Sequence, residues 1–308
     1  RDVYKRQDEN RVLTDYSYHP RGWLASTTVH GATSAQNRVT TFEYWPTGLV
    51  KRITQPDGSY ATFVYDQAQR LTDVTDTLGN TLHYVLDKAG NRLEEQTKDA
   101  QGALKRSLSR IYNQLGQLET QADAAANPTD YAYDANGNLR LITDAFGRRT
   151  LQEHDPLGRL ARTLQDVDGI KAETNVGYDT QDRPLQVKDP KRLDTRYTYN
   201  GLGDILKLTS PDTGATSYTY DSAGNRATQT DARGVISTYG YDALNRVLSI
   251  SYPTAAFNVS YTYDVTQNVC ASGETFTVGR LAKLQDGSGT TQYCYNRFGE
   301  VVRKVQTV

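Results

Sequence analysis

The chain has 308 residues and a net charge of -1, with 35 basic and 36 acidic side chains. That balance gives no electrostatic pull toward nucleic acid or an anionic membrane, and no apolar run is long enough to span a bilayer. Mean hydropathy is -0.68, which leans toward disorder, but 22 tyrosines supply large apolar bodies with polar tips. Length admits two domains or one large all-β domain.

The first seven residues, Arg1 to Gln7, match nothing downstream. They resemble a translated sequencing-adapter tail on a metagenomic gene fragment and are set aside from the fold. The chain also contains no Met, so a leader in the parent gene would lie outside this piece.

From residue 8 to 308 the sequence reads as one array of about thirteen units with a period near 21 residues. With the Asp of Y-x-Y-D as position zero, the equivalent sites are His19, Trp45, Asp66, Asp87, Asn113, Asp134, Asp155, Asp179, Asn200, Asp221, Asp242, Asp264 and Asn296. Seven of the twelve gaps are 21 residues, and the last, of 32, is the longest. Position -1 is Tyr in eleven units and position -3 is aromatic in ten. Position +3 is Gly in nine; Asp182 and Asn245, which tolerate positive φ best among the other types, fill two of the four exceptions. Repetition this regular is read before any other feature.

Each column has a physical cause. In a strand, residues i and i+2 share a face, so Tyr131 and Tyr133 point one way, as do the pairs Tyr197/Tyr199, Tyr218/Tyr220 and Tyr239/Tyr241. The following Asp134, Asp221 or Asp242 ends the strand by accepting from backbone N–H groups just ahead. Gly137, Gly203 or Gly224 then supplies the left-handed residue that closes a hairpin loop. An apolar residue at +5, such as Leu139 or Ile205, opens the returning strand, and a second turn such as Pro56–Gly58 leads to the next Tyr strand. The expected fold class is therefore all-β: tandem β-hairpins pairing edge to edge in a continuous sheet, with the Tyr columns aligned as aromatic pairs. No helix is expected, and the alanine-rich stretch 121–127 is taken as a loop.

The pattern Y-x-Y-D-x-x-G-[NR]-L followed by T-D-x-x-G resembles the YD repeat of Rhs proteins, shared with the C components of insecticidal toxin complexes and with teneurins. Residues 131–148 and 218–234 are the best copies, and the resemblance covers residues 16 to about 303. It implies a curved sheet of hairpins wound as a spiral into a hollow shell, of which this chain is an open fragment. In bacterial members the shell encloses a toxic C-terminal domain of the same polypeptide, which makes that domain and the adjacent repeats the expected partners and a secreted or cell-surface location the expected one. The chain is much shorter than a full shell, and repeats run to Val308. The self-cleavage motif of the family has one weak counterpart, Asp155–Gly158, which lies on the repeat register and reads as an ordinary turn.

No catalytic, metal or cofactor site is expected. The Asp column recurs one unit at a time and does not converge, whereas a paired acid/base site needs its carboxyls roughly 5–10 Å apart. The four histidines, His19, His30, His83 and His154, include no H-E-x-x-H pair. Asp166–Gly169 lacks the remaining ligands of a calcium loop, and Gly201–Asp204 lacks the third glycine of a dinucleotide loop. For Cys270 and Cys294 the reading favours two separate thiols and leaves a disulfide open. The Tyr faces also suit sugar rings. Packing is preferred for them, and a carbohydrate-binding adhesion module, with surface glycans as partner, is the alternative.

Overall fold

The structure, a computed structural model, describes residues 3–308. It is all-β, with 27 strands and two single-turn 3-10 helices among the described residues. The chain divides into two compact units: residues through Arg6 with Leu13–Glu173, and Gln7–Val12 with Thr174–Val308.

In the first unit every strand from Leu13–Tyr18 to Leu160–Gln165 pairs antiparallel with the next in chain order. The second unit repeats this meander from Pro184–Lys188 to Val301–Thr307. Such an order places all Y-x-Y-D turns along one edge of a unit and all second turns along the other. Most strand residues are half-buried, and among the described apolar side chains only Val12, Tyr84, Ala282, Cys294 and Tyr295 are buried. Stability in such a sheet accumulates neighbour by neighbour.

Each hairpin carries a β-bulge that the column pattern did not reveal. Tyr131 faces Ile142 and Ala132 faces Leu141, but Tyr133 faces Leu139, leaving Arg140 as the extra residue. The same slip precedes Tyr44, Tyr65, Tyr178, Tyr199, Tyr220, Tyr241 and Tyr263. Because of it, positions +5 and +8 both land opposite the two Tyr positions, as in the pairs Tyr197–Leu208 and Tyr199–Ile205. A bulge also raises the local right-handed twist.

Four expectations need correction. Val3–Gln7 was set aside, yet it forms a strand paired with Leu13–Tyr18. It covers an edge that would otherwise expose unpaired backbone groups, and Tyr4 meets Tyr18 edge-on at 5.6 Å. Two loops contain one-turn 3-10 helices, Ser34–Gln36 and Ala255–Phe257, where an Asn side chain closes the loop: Asn37 accepts from the Gly31 N–H, and Asn258 from the Tyr252 N–H. The stretch 121–127 is a loop as expected, turning at Ala126.

The aligned Tyr columns are the third. Ring–ring contacts among the described residues are confined to Tyr4–Tyr18, His19–Tyr44 and Trp23–Tyr44. Elsewhere a returning strand separates successive Tyr strands, setting them about 9.5 Å apart, beyond the roughly 4.5–7 Å of an aromatic pair.

In the second unit the longest repeat builds a small closed core. Cys270 and Cys294, for which the sequence favoured two separate thiols, are instead joined in a disulfide, because the inserted segment brings their Cα atoms to 5.4 Å. The inserted segment makes a parallel bridge from Thr275 to Tyr295, and Glu274 holds Arg303 through two bonds of 2.7 and 3.0 Å. Asn10 clasps the backbone of Val278, donating to its carbonyl at 2.9 Å and accepting from its N–H at 3.0 Å. Thr277 and Cys294 are almost fully enclosed there.

Gly137 and Gly224 have φ of 86° and 84°, and a Cβ at Gly224 meets open space. The cost of a side chain there is therefore conformational. Gly224→Val and Gly137→Val each lower unfolding free energy in urea by about 1–3 kcal/mol, whereas Asn245→Gly, at φ 60°, leaves it unchanged or raises it. An unchanged midpoint in both valine variants disproves the turn assignment.

Candidate functional site

The repeating chemistry of the chain lies in its turns. At Asp134 the backbone closes the loop from the Asp134 N–H to the Asn138 carbonyl and from the Gly137 N–H to the Asp134 carbonyl. Oδ1 of Asp134 accepts from the N–H groups of Asn136 and Asn138, both at 2.9 Å. Oδ2 accepts from the Asn138 side-chain amide at 3.0 Å. The same set of bonds recurs at Asp221 with Asn225 and at Asp242 with Arg246, whose Nε donates at 2.7 Å.

The +4 residue is a column that the sequence reading quoted but gave no role. Where position zero is Asp, except at Asp264, position +4 is a donor: Arg70, Asn91, Asn138, Arg159, Arg183, Asn225 or Arg246. Where position zero is Asn, the polarity reverses. The amides of Asn113, Asn200 and Asn296 donate to Gln117, Asp204 and Glu300 at 2.9, 2.8 and 2.6 Å. This reciprocity was present in the sequence and was the signal that could have revealed the latch. The second turns reuse it, as at Asp76 with Asn80 and Asp144 with Arg148.

Electrostatics follow from these bonds. The Asn138 amide, then its backbone N–H, holds the Asp134 carboxyl below the usual aspartate range; Asn225 does so for Asp221 and the Arg159 side chain for Asp155.

The Tyr side chains are committed as well. The Tyr133 hydroxyl donates to the Leu118 carbonyl at 2.8 Å, and Tyr199, Tyr220 and Tyr241 donate to the carbonyls of Pro184, Ile205 and Arg226 at 2.8, 2.9 and 2.9 Å. Each acceptor is the +5 residue of the preceding repeat, so each hydroxyl ties one hairpin to its predecessor. Burial pushes the phenols of Tyr133, Tyr199 and Tyr241 up. Latch arginines reach the same place: Arg183 lies 4.5 Å from the Tyr199 ring centre and Arg246 4.4 Å from that of Tyr263. Arg226 covers Tyr218 and Tyr239.

The sequence-predicted residues therefore recur along the sheet and meet only their neighbours in the repeat. Gly203 closes its loop onto Asn200, so Gly201–Asp204 is an ordinary latch. Asp155–Gly158 is another. Asp168 is held by Arg149 through bonds of 2.7 and 2.6 Å. His83 pairs with Asp73, its cross-strand neighbour, at 2.6 Å; His30 lies 3.0 Å from Asp15; His154 faces Leu160 in the Tyr column. Among the described residues no three His, Cys, Asp or Glu side chains are grouped as for a metal ion, and no helix is long and apolar enough to cross a membrane.

Two adjoining repeats depart from the latch. Position zero is His19 in one and Trp45 in the next, and Trp23 occupies the +4 place of the first. Between them lies a cavity of about 570 Å³ lined by Trp23, Tyr44, Trp45, Arg21 and Lys51 among others. The sequence reading recorded His19 and Trp45 on the register but not Trp23, nor the groove that the three share.

A tandem hairpin that binds its latch carboxylates, and phenols such as those of Tyr133, Tyr199, Tyr220 and Tyr241, to its own turns and strands is built as a structural repeat. The teneurin YD-shell profile matches residues 80–307 and the RHS repeat profile residues 44–81, and the chain belongs to the YD-shell family. Among curated relatives, double-stranded DNA deaminase toxin A of Burkholderia cenocepacia is 31% identical over 131 residues, 40% of this chain and 7% of that protein. The tRNA nuclease WapA of Bacillus subtilis is 27% identical over 110 residues, 35% of this chain and 5% of that protein. Among solved structures, TcdB2-TccC3 without its hypervariable C-terminal region superposes with a TM-score of 0.53 at 15% identity, over 100% of this chain and 22% of that one. The Photorhabdus luminescens Tc holotoxin pore gives 0.51 at 15% identity, over 98% and 23%. The chain thus shares the toxin-complex shell fold while spanning a small part of each relative.

Two outcomes follow. Asn200→Asp sets a carboxylate against Asp204 and lowers the urea midpoint at neutral pH; adding Asp204→Asn recreates the Asp–Asn latch of Asp134 and restores it. Because the latch carboxyls titrate below the ordinary value of 3.8 in the folded chain, their stabilisation is present above that value and is lost as pH falls through the lowered ones. Urea midpoints therefore stay level from neutral pH down to about 5 and drop below about 4; a level midpoint through pH 3 excludes the latch.

Proposed function

We propose that this chain is a non-catalytic wall segment of a YD-repeat shell, and that the parent protein uses the shell to enclose a toxin domain of its own polypeptide until delivery. The observation that carries this reading is the commitment of the repeat side chains. Oδ1 and Oδ2 of the latch Asp, the hydroxyls of Tyr133, Tyr199, Tyr220 and Tyr241, and latch arginines such as Arg183 are bonded within the repeat or to the adjacent one. A surface so engaged offers walls and no convergent acid, base or nucleophile. Curated relatives named as a deaminase toxin and a tRNA nuclease, and a solved relative described by its hypervariable C-terminal region, favour a parent that joins such a wall to variable cargo. The parent is exported: the Cys270–Cys294 bridge suits an oxidising compartment.

The test uses the parent gene with its native flanking sequence. Limited proteolysis of the purified protein leaves the region after the repeats intact, and Gly137→Val with Gly224→Val makes that region cleavable at the same protease concentration. Equal cleavage of that region in both proteins, or flanking sequence without a domain of different composition, overturns the reading.

A further inference from the structure

We propose that the groove at the two latch-free repeats binds a proline-rich, acidic segment of a partner protein in the extended polyproline conformation. This goes beyond the shell reading and does not rest on it.

The turns at His19 and Trp45 close without a carboxylate. The His19 N–H reaches the Trp23 carbonyl at 2.7 Å and the Gly22 N–H the His19 carbonyl at 2.8 Å; Trp45 and Gly48 make the equivalent bonds at 2.8 and 2.9 Å. The aromatic side chains are therefore not needed to make these turns. A local rule broken without structural need marks a place to look for function. Both tryptophans of the chain lie here, and Trp45 is 38% exposed. A Cβ on Gly48 would stand 2.9 Å from the Trp23 ring, so the bare backbone of the second turn forms a wall against the indole of the first.

The form of the site is a ridge between two depressions. The larger cavity, about 570 Å³, lies on one side of Trp45 and Pro46, and a second of about 390 Å³ lies on the other, reaching Tyr65. Paired aromatic-walled depressions suit the successive ring pairs of a polyproline helix. The polar complement points the same way. The Trp23 indole N–H has no hydrogen-bond partner among the described residues, whereas that of Trp45 is used on the Phe63 carbonyl at 3.1 Å. Arg21 spends one N–H on the Pro46 carbonyl at 2.9 Å and leans over Trp23 at 5.2 Å. Lys51 stands 5.4 Å from the Trp45 ring centre and 3.9 Å from Glu43, the acid of the lining.

The larger cavity thus sets donors, the Trp23 N–H, Arg21 and Lys51, beside aromatic faces. A proline-rich chain is its complement. Its carbonyls are unpaired in the extended form, and proline brings no N–H that would need an acceptor. In the larger cavity the one carboxylate that a sugar hydroxyl could donate to, Glu43, is already paired with Lys51. In the larger cavity two cations face one carboxylate, and Asp66 of the second is already bonded to Arg70, which favours acidic residues beside the prolines.

Tryptophan fluorescence of the full 308-residue chain, excited at the red edge where tyrosine does not absorb, reads this groove, because both tryptophans lie in it. Titration with a decaproline peptide flanked by glutamates gives a saturable change, and the same peptide with serine for proline gives none. Trp23→Phe keeps a ring and removes the N–H, and weakens binding about fivefold. His19→Asp with Trp23→Asn rebuilds the regular latch; calorimetry then shows no peptide binding while the urea midpoint is kept or raised. Saturable binding of an acidic oligosaccharide in place of the peptide, or no saturable change with either probe, overturns the proposal.

Discussion

One carboxylate oxygen that accepts two backbone N–H groups at once governs this molecule. Oδ1 of the position-zero residue takes the N–H groups two and four residues ahead. These groups at the tip of a tight loop have no strand partner, and an unpaired backbone group carries a cost close to that of a lost hydrogen bond. Satisfying them from one side chain keeps each latched loop to the five residues from position zero to +4 and returns the chain at once. Where the latch is present the loop has one length, so those hairpins keep one register. The regular pitch of the sheet is therefore a consequence of turn chemistry.

The second level of order depends on that pitch. A Tyr hydroxyl reaches the +5 carbonyl of the preceding repeat, and a latch arginine reaches forward to the next, as Arg70 does to the Asp87 carbonyl at 2.7 Å and Arg183 to that of Asn200 at 3.3 Å. Contacts run in both directions between neighbours. Each is modest, about 0.5–1.5 kcal/mol for a neutral hydrogen bond, but they recur at each step. A sheet with few buried side chains holds together in this way, through repetition instead of a deep core. The exception supports the point: where the register is interrupted by the insertion after Asp264, the chain supplies a disulfide, the Glu274–Arg303 pair and the enclosed Thr277.

What the sequence made legible was what repeats by type. Tyr at -1 and -3, Asp at zero and Gly at +3 each answer to a backbone demand, so the all-β hairpin array, its turns and its strand faces could be read directly. What escaped was relational. The bulge at Arg140 leaves no mark on residue type, because the extra position tolerates many side chains. The latch partner alternates among Arg, Asn, Gln, Asp and Glu, and makes sense only when paired with position zero. Val3–Gln7 carries no repeat signature, yet backbone bonds alone suffice to add a strand to an open edge. The disulfide needed proximity that a gap of 24 residues does not reveal.

The same commitments separate packing from recognition on the aromatic side of the sheet. A Tyr whose hydroxyl is bonded and whose face carries an arginine, as Tyr199 is and does, has little left to offer a ligand. Where the carboxylate clasp is missing, at Trp23 and Trp45, the rings are larger and a polar tip, the Trp23 N–H, stays unspent among the described residues, although Arg21 and Lys51 lie near the two indoles. At Trp23 and Trp45 the latch side chains have themselves become rings, so the loss of the clasp and the gain of aromatic surface go together. A repeat array can acquire a binding groove in this manner without disturbing its pitch, since the backbone bonds of the turn persist and only the side-chain clasp is exchanged.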